Sequence, residues 1–89
     1  MALTKSHMPE DLALVLSKAL PVSNTMVDHY IAHSEWDQAV LESLATFAAE
    51  QAALPSDVAK MVHGATNEPG VHPKVRRRAL YLIDRIPVS

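Results

Sequence analysis

Apolar residues in this chain recur at intervals of three and four, and prolines divide them into helix-length pieces. Leu12, Val15, Leu16 and Ala19 form the first such stripe. Glu10 and Asp11 stand ahead of it, where the positive end of a helix dipole favours acids. This predicts a first helix that starts near Pro9 and is ended by Pro21. Met26, Val27, Tyr30 and Ile31 give the apolar face of a second helix, from Asn24 or Thr25 to Ala32. The third is the strongest element: Glu35 to about Ala53 are nearly all good helix formers. Ser34 is its expected N-cap, with Asp37 three places on as an approximate capping box. Trp36, Val40, Leu44 and Phe47 make one stripe, and Leu41, Ala45, Ala48 and Ala52 adjoin it. An apolar arc of that width predicts packing against more than one neighbour. Pro55 is expected to stop this helix, and Ser56 or Asp57 to cap a short fourth one, about Asp57 to Ala65. Val58, Met61, Val62 and Ala65 are its inward positions. Thr66-Asn67-Glu68-Pro69-Gly70 reads as a loop. Pro73 then sits in the first turn of a last helix that ends before Pro87. Its core stripe is Val75, Ala79, Leu82, Ile83 and Ile86.

No window alternates with period two, so the chain reads as an all-α single domain of about five helices, with residues 1–8 as a flexible lead. The third and last helices are rough copies. The stretch His33 to Leu44 matches His72 to Ile83 in pattern, and apolar positions pair along it: Trp36 with Val75, Val40 with Ala79, Leu41 with Leu80, Leu44 with Ile83. Phe47 and Ile86 extend the match. Shared apolar positions imply a shared packing role. The outward faces differ, with Asp37, Gln38 and Glu42 in the first copy against Arg76, Arg77 and Tyr81 in the second.

The run Val75-Arg76 followed by Ala79-Leu80 and Ile83 resembles the second helix of a HEAT or armadillo-type repeat. Repeats of that class are helix pairs of about 40 residues stacked side by side. The resemblance implies antiparallel hairpins over about 24–53 and 57–86, with the first helix as a cap or half-repeat. A compact orthogonal helical bundle satisfies the same short hairpins. Stacked helical hairpins are the architecture of binding scaffolds.

The chain has 89 residues, enough for one small domain. Eight Lys and Arg against ten Asp and Glu give a formal charge of −2, which argues against a bulk nucleic-acid or membrane binder and leaves room only for a local patch. No cysteine is present, so disulfides and thiolate metal sites are excluded. No run is apolar enough to span a bilayer, and Glu10 and Asp11 ahead of Leu12 do not suit a secretory signal. The expectation is a cytoplasmic protein.

The last helix carries the most suggestive polar set. At ~100° per residue, Lys74, Arg77, Arg78, Tyr81 and Arg85 share one face within an arc of about 100°. Arginines bind carboxylates and phosphates in a bidentate manner, and a tyrosine among them fills a pocket or stacks on a base. The alternative is a solvated face that only aids solubility. His29 and His33 are four apart, as helical metal pairs often are, with Asp28 and His63 or His72 as further candidates. No glutamate follows His29 in the zincin manner, and the expectation is no metal site and no cofactor. No serine lies in a glycine-flanked elbow, and Gly64 and Gly70 form no phosphate loop. Tyr30 and Trp36 are expected as core anchors, and Met26 and Met61 as core gap-fillers. The reading is a non-enzymatic protein-interaction module, an adaptor, regulator or inhibitor, that meets an acidic partner protein through the last helix and the loop Asn67 to His72. Nucleic-acid binding by the same stripe is the alternative. A 48% hydrophobic composition also leaves homo-oligomerisation open.

Overall fold

A side-chain cap marks the start of two of the five described helices. The structure, a computed structural model, describes residues 8–89. The expected flexible lead over 1–8 therefore lies outside the described residues except for Met8, which is fully buried. Helix α1 spans Glu10–Ala19, with Glu10 and Asp11 in its first turn. Helix α2 spans Thr25–Ala32. Its cap is Asn24, whose side-chain oxygen Oδ1 accepts from the N–H groups of Met26 at 2.9 Å and Val27 at 3.3 Å. The Asn24 amide also donates to Glu42 Oε2 at 3.1 Å and Thr46 Oγ1 at 2.8 Å, which ties the start of α2 to the side of helix α3. Helix α3 spans Trp36–Glu50, α4 Ser56–Thr66 and α5 Pro73–Ile83. Pro73 opens α5, and His72 caps it by accepting the Lys74 N–H on Nδ1 at 3.1 Å.

The helices close around a core rather than lying in a row. Helices α1, α3, α5 and α4 touch in a ring, each against the next. Leu12 and Leu16, Val40, Leu44 and Phe47, Val58 and Val62, and Leu82 and Ile83 meet inside it. Helix α2 lies outside the ring, against α1 and α3. Its buried residue Val27 is not part of the central cluster, whereas Tyr30 and Ile31 pack on that cluster's edge. Trp36 is likewise half-buried against the core. The radius of gyration of 12.2 Å matches the value of about 12 Å for a compact chain of this length. Below α5 the chain is clasped back: Leu54 N–H donates to Pro87 O at 2.7 Å and Ser89 N–H to Leu54 O at 3.1 Å. Among the described residues this single Leu54–Val88 bridge is the only strand-like pairing.

The all-α class, the five segments and most of the core agree with the apolar pattern, and the differences have local causes. Helices α2 and α3 touch, as do α4 and α5. Helices α2 and α4 do not touch, and α1 packs against both. Ser34 is not the cap of α3. It adopts a left-handed conformation, φ 56°, and closes α2 instead. There Ser34 N–H donates to Ile31 O at 3.1 Å and Glu35 N–H to Tyr30 O at 2.8 Å, the two bonds of a Schellman motif. Asp37 does not complete a capping box; its carboxylate accepts the Met8 N–H. Helix α3 ends at Glu50, ahead of Pro55, because Gln51 turns left-handed and the same motif recurs there. Neither Ser56 nor Asp57 caps α4 through its side chain. Met26 and Met61 are not gap-fillers: they are 46% and 39% exposed.

Candidate functional site

All five residues of the predicted stripe are exposed on α5 and the turn after it. The ring of Tyr81 organises them. The Arg85 guanidinium carbon lies over that ring at 3.6 Å from its centroid, and that of Arg78 at 5.3 Å. Arg85 is held by two further contacts, a hydrogen bond from its Nη1 to Tyr81 O at 2.9 Å and Asp84 at 4.0 Å. The turn that brings Arg85 back over Tyr81 is set by Arg85 N–H on Leu82 O and Ile86 N–H on Ile83 O, with Ile86 buried beneath. Lys74, Arg77, Arg78 and Tyr81 line one shallow hollow of about 250 Å³. Arg77 and Tyr81 also wall a second, open hollow of about 630 Å³, between the end of α5, Val88 and His63 of α4. The site is therefore two adjoining depressions with a shared wall.

The larger hollow is lined in part by the apolar side chains of Leu80, Ile83 and Val88. Leu80 and Val88, both at its edge, are 41% and 54% exposed, and Tyr81 is 48% exposed. Pattern matching pairs Leu80 with Leu41 as a packing residue, and this is corrected: Leu41 packs against the core, Leu80 does not. A helical wheel carries the warning, since Leu80 falls roughly 60° outside Ile83 and roughly 60° short of Arg77. Val88 had no periodic signal, because it follows Pro87 in an extended segment.

Other polar residues of the two copies belong to the fold. Arg76 is half-buried and grips the end of α4, donating from Nε to Thr66 O at 2.9 Å and from Nη2 to Glu68 O at 2.8 Å. It satisfies the Thr66 carbonyl, which the end of α4 leaves without a helical partner, and shares the Glu68 carbonyl with the Val71 N–H. Asp37 and Glu42 are likewise engaged, by Met8 and Asn24. The outward charge difference between the copies thus narrows to Arg77 and Tyr81 with their α5 neighbours. The loop Asn67 to His72 is pinned at Glu68 by Arg76 and at Val71, which is buried. The rings of His29 and His33 sit 4.4 Å apart, but no group of three or more His, Asp or Glu side chains able to hold a metal ion occurs among the described residues. No helix among the described residues is long and apolar enough to cross a membrane. Comparison with known proteins returns no match among family models, curated proteins or solved structures.

Proposed function

We propose that this protein is a small non-enzymatic interaction module that binds an acidic partner protein through the exposed face of α5. One observation carries the reading: the cations Lys74, Arg77, Arg78 and Arg85 gather around Tyr81, with Arg78 and Arg85 over its ring, and border exposed Leu80 and Val88. Interfaces favour Arg and Tyr at their centres, where a planar guanidinium or ring gives contact area at low entropic cost. A nucleic-acid backbone needs the cations but not the apolar residues beside them. Base stacking on Tyr81 would also have to displace the Arg85 guanidinium from the face it covers at 3.6 Å. The formal charge of −2 further weakens any attraction to phosphate chains.

The test is capture from native lysate, with and without nuclease treatment, by the whole chain and by its Arg77→Glu/Arg78→Glu variant, with mass spectrometry. The expected result is one or more acidic proteins retained by the parent and lost by the variant. Retention that disappears on nuclease treatment would replace this reading with nucleic-acid binding. Equal retention by parent and variant would remove α5 from the function altogether.

A further inference from the structure

We infer that the hollow between α5 and Val88 takes an apolar anchor residue from a short acidic segment of the partner, and that Arg77 and Arg85 at its rim hold the flanking carboxylates. The inference rests on the proposed binding role of α5 and adds the chemistry of what is bound. The argument begins with Leu80. It projects from a helix whose inward positions are already filled by Ala79, Leu82 and Ile83, yet it is 41% exposed. Val88 stands across the hollow at 54% exposure, although its neighbours Pro87 and Ser89 are hydrogen-bonded to Leu54. A lone exposed aliphatic is ordinary surface. Here two of them and Tyr81 face one concavity of about 630 Å³, which makes a receptacle rather than scatter.

The charges around this receptacle select the occupant. Arg77 and Arg85 line it, and its one acid, Asp84, lies at 4.0 Å from Arg85. Arg77 is also shared with the smaller hollow, whose other walls are Lys74, Arg78 and Tyr81. A segment crossing that shared wall would place carboxylates over Lys74 and Arg78 on one side and an aliphatic or aromatic side chain against Leu80 and Val88 on the other. Cations at an open rim add orientation and association rate, and the desolvated apolar contact adds most of the affinity. An acidic segment without an anchor would use half the site. A nucleic acid could offer it only a base, and a backbone bound through its phosphates would leave Leu80 and Val88 unused.

The experiment selects peptides from a random phage-displayed library against the intact chain and measures the synthetic winners by fluorescence anisotropy. The expected winners combine several acids with one large apolar residue. Leu80→Ser should weaken them roughly tenfold, Leu80→Glu should abolish binding, and Arg77→Glu should do the same. Because Leu80 is exposed, these variants should keep the parent's circular dichroism. Acidic winners that are indifferent to Leu80→Ser would overturn the anchor hollow and leave the basic face standing. Winners that are not acidic, indifference to Arg77→Glu, or no enrichment would overturn both.

Discussion

Helices α3 and α5 carry nearly the same apolar pattern and occupy different environments. Helix α3 touches α1, α2 and α5, whereas α5 touches α3 and α4. The extra neighbour uses up the second stripe of α3: Leu41, Ala45 and Ala48 pack against the core. Leu80, the match of Leu41, is left at the surface. The positions that carry charge diverge in a related way. Asp37 accepts an N–H from the chain entering α1, and Arg76 at the matching place donates to carbonyls at the end of α4. An acid meets the start of one helix and a base the end of another, each on the side its dipole favours. The same frame is thus adapted twice, once as a central support and once as a half-open face.

The comparison breaks most visibly at Phe47. This ring is 2% exposed in the central cluster, so Phe47→Ala should cost about 3–5 kcal/mol, a large part of the stability of a small domain. Leu80→Ala should stay within about 0.5 kcal/mol, as surface changes do. Urea denaturation followed by circular dichroism reads both. Comparable losses at the two sites would mean that α5 is as enclosed as α3.

Arg76 and Arg77 are adjacent and should behave oppositely. Arg76→Ala removes two charge-assisted bonds to backbone carbonyls and should lower stability by about 1–3 kcal/mol. Arg77→Ala should leave the melting temperature almost unchanged while weakening any ligand of α5. If Arg76→Ala proved neutral, the end of α4 would not depend on this clamp. The matched leucines give a smaller contrast. Leu41→Ala should cost about 1 kcal/mol more than Leu80→Ala in the same assay, in line with its partial burial.

The helices were legible because strong periodicity and prolines agree along most of the chain. Leu12, Leu16, Val40, Leu44, Phe47, Val62, Leu82 and Ile83 all point inward as their spacing predicts. What spacing does not encode is which neighbour arrives. Met61 follows the inward pattern of α4 but is 39% exposed. Ala13 lies outside the first stripe but is fully buried, because α1 meets α2, α3 and α4 at once. Arg76 sits one residue from Arg77 in a basic run, and only the fold brings Thr66 and Glu68 to it. Of the candidate site, the cations and Tyr81 could be placed on one face by angle alone. The Arg85–Tyr81 stack and the Val88 wall needed the turn after α5 and the clasp to Leu54.

The smallest effect sits where the two copies begin. Ser34 and Pro73 occupy matching places, and their backbones are incompatible. Ser34 has φ 56°, whereas proline is held near −65° at the opening of α5. The left-handed region costs a residue with a Cβ about 1–2 kcal/mol, and glycine enters it freely. Glycine also loses more freedom on folding, which offsets part of that gain. Ser34→Gly should therefore stabilise the protein by about 0.5–1 kcal/mol, since the Schellman bonds to Ile31 and Tyr30 use backbone groups alone. Thermal denaturation should show a rise in Tm of a few degrees. A fall would mean that the serine side chain holds the α2–α3 junction in a way its backbone does not, and that the first copy starts on a side-chain contact, as the second does at His72.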